Sequence, residues 1–282
     1  MLNLVSLEPV DYLVVGHAAH DLTPNGPRLG GTVAYAALTA RALGLRVGIV
    51  TAVGPETSLK ALDGIPVIAL DSTQSTTFEN IYTEHGRVQY LRGRAAPISF
   101  DAVPESWRHS SIIHLGPITH EIESTLPKDF TNSLLGITPQ GWMRQWDTEG
   151  RVSPCEWEHA ETALMQAGAV VISREDAGGD EERIEHMAHQ TRILAVTESA
   201  AGCVLYWHGD RRRFRAPQVM EVDATGAGDI FAAAFFIRLF ATRDPWEAAR
   251  FATLIAARSV TRMGLEGIPT LEEIQECMVE VF

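Results

Sequence analysis

Short β-branched runs recur along this chain with helix-compatible stretches between them, and that alternation leaves few folds open. Leu13-Val14-Val15 ends at Gly16, and further runs follow at Val47–Val50, Val67–Leu70, Ile112–Leu115, Ser133–Ile137, Ala169–Ile172, Ile193–Thr197 and Cys203–Trp207. Most are apolar throughout, as expected of strands buried on both faces. Between them, Thr32–Leu43, Trp157–Gln166 and Asp180–His189 read as helices, the first opened by Gly30-Gly31 and closed by Gly44. The pattern predicts an α/β protein with a mostly parallel sheet covered on both faces. A chain of 282 residues can bury the core of one large domain, so residues 1–282 are read as a single unit.

One region departs from this rhythm. Thr76–Ile81 and Arg87–Leu91 alternate apolar and polar residues around Glu84-His85-Gly86, which predicts a hairpin, solvated on one side, that projects from the main sheet at about residues 74–94. Such a hairpin is a natural cover for a site; a surface hairpin with no catalytic part is the other reading. Trp142–Pro154 is polar and aromatic and reads as an excursion after a strand.

Composition removes several classes of function. Asp and Glu number 36 against 23 Lys and Arg, a net charge of -13, which argues against nucleic acid or an anionic membrane as partner. The one basic cluster, Arg211-Arg212-Arg213-Phe214-Arg215, reads as the solvated side of a hairpin. Cys155, Cys203 and Cys277 have no metal-type spacing and fit a reducing cytoplasm. Glu8 and Asp11 interrupt the N-terminal stretch, so no signal peptide is expected, and Ile230–Phe240, which includes Arg238, is too short to span a bilayer.

The chemistry is concentrated in Asp223-Ala224-Thr225-Gly226-Ala227-Gly228-Asp229, which runs into an apolar helix beginning near Ile230. Two glycines one residue apart allow a tight turn that points the N–H groups of Gly226, Ala227 and Gly228 at one spot, and the helix N-terminus adds partial positive charge there. That is an anion cradle suited to phosphate. A carboxylate beside it, Asp229, repels phosphate unless it holds a nucleophilic hydroxyl or a metal, so the pairing points to phosphoryl transfer. As a helix-terminal carboxylate, Asp229 is expected to be ionised and weakly basic. A plain N-cap on a tight turn is the alternative.

This segment, together with Gly30-Gly31, resembles the signature pair of the ribokinase / PfkB carbohydrate kinase family, with landmarks in matching order from about Leu13 to Gly267. The resemblance implies a ribokinase-like three-layer αβα sandwich, with the lid reduced to the Thr76–Leu91 hairpin because only Leu22–Leu29 separates Asp21 from Gly30. It implies transfer of the γ-phosphate of ATP to a hydroxyl of a sugar, polyol or nucleoside. By the same resemblance Asp229 is the catalytic base, and Asp21 holds acceptor hydroxyls beside Gly30, Gly31 and Tyr35. Tyr35 stands where sugar kinases often have Asn, which points away from ribose or fructose phosphate.

On the nucleotide side, Ser173-Arg174-Glu175-Asp176 resembles the family's Asn-x-x-Glu motif, which implies Mg2+ organised through water by Asp176 with Glu175. Thr197-Glu198-Ser199-Ala200-Ala201-Gly202 resembles the turn that touches ATP phosphates, with Ser199 in place of its first glycine, and Thr225 lies on the same side. Phe251–Gly264 resembles the stretch flanking adenine. Asp223 corresponds to an acid near a monovalent-cation loop, leaving a K+ role and a backbone-turn role open.

Gly31–Tyr35, His114–His120 and Gly141-Trp142 resemble the inositol-kinase-like branch, so myo-inositol is the favoured acceptor. His114 reads rather as a satisfied core histidine. A nucleoside kinase, with Tyr35 and Trp142 stacking a base, and a catalytically silent binding protein on the same fold are the alternatives. The open face of the hairpin would allow a homodimer.

Overall fold

The computed structural model describes residues 7–278 apart from 24–25, 84–85, 127–129, 131 and 159. The first third of the chain runs β1 (Tyr12–Val15), β2 (Ala19–Thr23), β3 (Gly26–Gly30), α1 (Thr32–Ala42), β4 (Val47–Val53), β5 (Val67–Asp71), β6 (Thr76–Thr83) and β7 (Gly86–Gly93). The middle adds β8 (Ile112–Leu115), β9 (Leu134–Ile137), β10 (Arg144–Trp146), β11 (Val152–Pro154), α2 (Ala160–Gln166), β12 (Ala169–Ser173) and α3 (Glu181–Gln190). The last part contributes β13 (Ile193–Thr197), β14 (Cys203–Trp207), β15 (Asp210–Phe214), α4 (Ala227–Thr242), α5 (Pro245–Ser259) and α6 (Leu271–Cys277).

Nine strands form the main sheet in the order β15-β14-β13-β12-β9-β8-β1-β4-β5. Neighbours from β13 to β5 are parallel, and β14 and β15 extend the edge antiparallel. The alternation within β1 shows why both faces must be covered. Tyr12 and Val14 pack with α1, α4, α5 and α6, while Leu13 and Val15 join the opposite core of Trp107, Trp142 and the apolar sides of α2 and α3. This is the three-layer αβα sandwich expected from the sequence. Ile230–Phe236 of α4 is buried residue after residue, as a helix held between a sheet and other helices must be. The Arg-rich run lies on β15 with its arginines exposed, as a solvated hairpin side. No helix among the described residues is long and apolar enough to cross a membrane.

The projecting hairpin is present as β6 and β7, although its Glu84-His85 tip lies outside the described residues. It is not alone. The residues following β1 turn into a second hairpin, β2–β3, and the two combine as a four-stranded sheet ordered β3-β2-β6-β7. The covering element is therefore larger than the single hairpin read from the sequence. Ala-His-Asp-Leu-Thr of β2 is mostly half-exposed and lacks the apolar signature of a buried strand. The segment read as an excursion is a two-stranded ribbon, β10–β11, docked on β7, where Leu91 N–H donates to Gly150 O at 2.8 Å.

A buried polar cluster roots the small sheet in the large one. The Glu121 carboxylate accepts the backbone N–H groups of His17, Ile118 and Thr119 at 2.7 to 3.0 Å. His17 bonds the Thr76 hydroxyl through Nδ1 (2.7 Å) and Ala96 O through Nε2 (2.8 Å). The end of β1, the start of β6 and the loop after β8 are thus tied at one point without exposing a polar group.

Candidate active site

A cleft of about 650 Å³ opens between the carboxyl ends of the parallel strands and the four-stranded sheet, which is where open α/β sheets place ligands. Of the candidate residues named from the sequence, Asp21, Gly31, Tyr35, Ser173, Glu175, Asp176, Thr197, Ser199, Gly202, Thr225, Gly226, Ala227, Gly228 and Asp229 line it, and Gly30, Asp223, His114 and Trp142 do not. Gly30 acts one step removed: it pairs with Ala19 across the β2–β3 hairpin, and any side chain there would strike the Asp21 carboxylate, which turns into the cleft.

The floor is the start of α4. Gly226 caps the helix in the left-handed region (φ 77°), directly over the Tyr35 ring, where a Cβ would overlap the aromatic carbons. Tyr35 is buried, so it supports the glycine turn as much as it borders the cleft. The Ala227 N–H donates to Ala224 O at 3.2 Å, so of the three groups in the expected cradle it is already engaged. A helix leaves its first-turn N–H groups without intrahelical acceptors, which gives Gly228 and Asp229 that character here.

Asp229 departs from expectation. Its carboxyl is pushed up to about 6, first by burial, with a hydrogen bond to Thr32 and the charge of Arg144 lowering it and the charge of Asp176 raising it. Removal from water outweighs the helix terminus. The group keeps an opening on the cleft while protein encloses it on its other sides. Thr32 opens α1, so two helix N-termini, each preceded by a left-handed glycine, converge at this carboxylate.

Asp223 has both oxygens engaged by backbone: Oδ1 accepts from Thr225 N–H and Oδ2 from Gly264 N–H, each at 2.9 Å. It ties the turn before α4 to the loop after α5, which is the backbone-turn role.

The nucleotide-side candidates cluster at adjacent strand ends. Ser173 and Thr197 are register partners at the ends of β12 and β13. Ser199, in place of glycine, keeps a left-handed backbone (φ 50°). Gly202 follows at the same turn, against the Phe214 carbonyl. Asp176 is buried, with Oδ2 held by Ser173 N–H (2.9 Å) and Oγ (2.7 Å) and Oδ1 accepting from Gln140 (3.2 Å). Glu175 is exposed on the cleft wall. No cluster of three or more metal-ligating side chains occurs among the described residues. Farther out, Ala200, Val219, Ala256, Ala257 and Val260 make an apolar strip.

The opposite end is lined by Asp21, Phe78, Asn80, Gln89, Ile118 and Arg144. Asn80 and Gln89 are register partners, with Gln89 Nε2 donating to Asn80 Oδ1 at 2.9 Å. Sequence reading missed Thr32, Asn80, Gln89, Gln140 and Arg144. Phe78 and Asn80 share a face of β6 by strand periodicity, so the hairpin alternation already held that signal. Arg144 had none, because its ribbon becomes visible only once paired.

Two aromatic candidates are elsewhere. Trp142 stacks on Trp157 (5.0 Å between centroids) and donates its ring N–H to Ile122 O at 2.8 Å. It belongs to the core, since a strand-following Gly-Trp pair carries no information on which side of the sheet the ring falls. His114 is a satisfied core histidine, bonded to the Tyr12 hydroxyl (2.7 Å) and the Thr138 hydroxyl (2.9 Å), with burial pushing its pKa down to about 3.

Residues 159–271 match the pfkB family carbohydrate kinase model. The chain is 28% identical to a cytidine kinase of Thermococcus kodakarensis over 250 residues, covering 80% of this chain and 87% of that one. It is 26% identical to an inositol 3-kinase of Oryza sativa subsp. japonica over 295 residues, covering 96% and 72%. Among solved structures, a pyrophosphate-dependent kinase of the ribokinase family complexed with a pyrophosphate analog and myo-inositol has a TM-score of 0.77 at 22% identity, covering 95% and 100%. An Arabidopsis thaliana ribokinase complexed with ribose and ATP has a TM-score of 0.73 at 17% identity, covering 96% and 99%. At those identities the structures establish the fold.

Proposed function

The chain belongs to the PfkB/ribokinase family, and on that premise we propose that it is an ATP- and Mg2+-dependent kinase of a neutral polyol or sugar, with myo-inositol the first candidate. The observation that carries this is the placement of Asp229, at a paired helix terminus, in the same cleft as Asp21. Asp21 fixes acceptor hydroxyls, as a carboxylate can accept two such hydrogen bonds, and Asp229 orients the reacting hydroxyl. A phosphoryl transfer with a loose transition state needs little early activation of the nucleophile, so Asp229 takes the proton late. Its raised pKa leaves it ionised near neutrality and a better proton acceptor than an ordinary aspartate. Backbone N–H groups at Gly226 and Gly228 stabilise charge on the phosphoryl oxygens.

Neutrality of the acceptor follows from charge. Asp21, Glu175, Asp176, Glu221 and Asp229 line the cleft, against one cation, Arg144, among the described lining residues. A sugar phosphate would be repelled. The nucleoside alternative loses an aromatic wall now that Trp142 is in the core. The apolar strip from Ala200 to Val260 suits an adenine ring, which favours ATP over pyrophosphate as donor. Mg2+ commonly takes one or two carboxylates plus phosphates and water, and Glu175 with Asp176 would hold it to neutralise donor phosphates. The four-stranded sheet serves as the lid, and a homodimer through its open face stays part of the proposal.

The test is ADP formation with ATP and Mg2+ over neutral polyols, sugars, nucleosides and sugar phosphates. A polyol or free sugar should turn over best, and a phosphorylated sugar as best substrate would overturn the neutral-acceptor reading.

A further inference from the structure

A buried histidine links the core to the middle of the cleft. Tyr12 on β1 and His114 on the neighbouring β8 share a face of the large sheet, and the Tyr12 hydroxyl lies 2.7 Å from His114 Nδ1. His114 Nε2 lies 2.9 Å from the hydroxyl oxygen of Thr138, which follows β9 and lines the cleft. Tyr12 and His114 are fully buried, and the Phe236 ring packs edge-on against the imidazole at 5.0 Å between centroids. Thr138 stands where the two ends of the cleft meet. Its strand lies between β8 and β12, the strand that carries Ser173. A Cβ added at Gly116 would lie 3.3 Å from Thr138 Oγ1 and would overlap the side chain of Thr32, which bonds Asp229.

The protons of this chain have one arrangement that leaves no buried donor unpaired. His114 is neutral at neutral pH, so one ring nitrogen donates and the other accepts. With the proton on Nδ1, the ring would donate to the Tyr12 oxygen and the tyrosine O–H would have no acceptor, because His114 is the only hydrogen-bond partner of that hydroxyl among the described residues. A buried donor left in that state incurs its full desolvation penalty. With the proton on Nε2, Tyr12 O–H donates to Nδ1 and Nε2–H donates to Thr138 Oγ1. Thr138 O–H then cannot donate back to the histidine. It has no other acceptor among the described residues, and the space open to it is the cleft.

We propose that Tyr12, His114 and Thr138 form a one-way hydrogen-bond relay that fixes the Thr138 hydroxyl as a donor to the phosphoryl group in transit, with Thr138 touching that group and Tyr12 and His114 positioning it. The inference rests on the kinase reading above. Acceptor hydroxyls bring donors, which the carboxylates of the cleft can serve, whereas phosphoryl oxygens bring only acceptors and need a donor whose direction is set in advance. In the step, a bond forms between the acceptor oxygen and the γ-phosphorus while the bond from that phosphorus to the bridging oxygen breaks. ADP leaves with the electron pair, and the acceptor proton passes to Asp229. Thr138 keeps its proton throughout, and the relay moves none.

The experiment has two arms, on the wild type, Thr138→Val, Thr138→Ser and Tyr12→Phe, with thermal melts to identify any variant that fails to fold. In the first, NMR of protein labelled with 15N-histidine reads the tautomer of His114, the ring whose signals move in both Thr138→Val and Tyr12→Phe. The wild type should hold the Nε2–H form from pH 5 to pH 8, and Tyr12→Phe should admit the other tautomer. An Nδ1–H ring in the wild type overturns the relay. In the second arm, ADP with Mg2+ is titrated calorimetrically with and without aluminium fluoride as a mimic of the transferring group. Aluminium fluoride should tighten ADP binding to the wild type, and Thr138→Val should lose about 100-fold of that tightening with binding of ADP alone unchanged. Thr138→Ser should keep most of it, and Tyr12→Phe should lose about fivefold. Equal tightening in the wild type and Thr138→Val overturns the donor role of Thr138 and leaves the kinase reading intact. A wild type that binds no ADP overturns both.

Discussion

Asp229 carries the largest functional tension of any single residue. Its native pKa of about 6 exceeds the ordinary value of 3.8, so the folded state holds the proton more tightly than the unfolded chain. Linkage then has a definite sign: the contribution of this carboxyl to stability is greatest below about pH 4, is lost as pH rises through about 6, and is absent beyond. Asp229→Asn should therefore abolish turnover while raising stability at pH 8 by about 1–2 kcal/mol, a figure discounted for the carboxyl's opening on the cleft; urea unfolding of both proteins at pH 8 and pH 4 checks it. Activity has the opposite dependence, because the ionised form is the working one, so kcat/KM should fall as pH drops through about 6. Ser199 is a second strained residue, left-handed without being glycine. Ser199→Gly should stabilise by up to about 1 kcal/mol, partly offset by the freer unfolded glycine, as thermal unfolding would show. These positions were legible because backbone demands restrict residue type. Gly226 must be glycine over the Tyr35 ring, and that need shows in sequence as a fixed spacing. The pKa of Asp229 was not legible, since burial depends on segments far away in the chain.

Elements differ in how they announce themselves. The buried parallel strands and α4 were plain because an element covered on all sides must be apolar, and β8, β13 and β14 begin and end where the apolar runs do. β2, β3 and the β10–β11 ribbon were missed because their stability comes from pairing with distant strands and their residues are polar or half-exposed. Arg144 lies on such an element, which is why it came only with the structure, whereas Asn80 and Gln89 lie on the β6–β7 hairpin whose alternation was already legible. The lid as an element depends on its root. Glu121→Ala would leave the N–H groups of His17, Ile118 and Thr119 without their acceptor, costing about 2–4 kcal/mol. Urea unfolding should detect the loss, and acceptor KM should rise more than kcat falls because the lid loses its fixed attachment.

At the scale of the whole molecule, strand ends of the large sheet, the N-termini of two helices and the four-stranded sheet meet at one cleft, the arrangement on which the proposed phosphoryl transfer depends. On the proposed reading, Asp229 sits on the large sheet's side of the cleft, whereas Asp21, Asn80 and Gln89 sit on the four-stranded sheet. On that reading, Asp21, Asn80 and Gln89, which line the cleft, would set the acceptor preference. The central claim is that the Asp229 cleft transfers phosphate from ATP to a neutral hydroxyl compound. Its most direct measurement is acceptor-dependent ADP formation at pH 8 by the wild type and Asp229→Asn, with myo-inositol first. ADP formation by the wild type should require the acceptor, and Asp229→Asn should lose it while still binding ATP. Near-normal turnover by Asp229→Asn would contradict that claim.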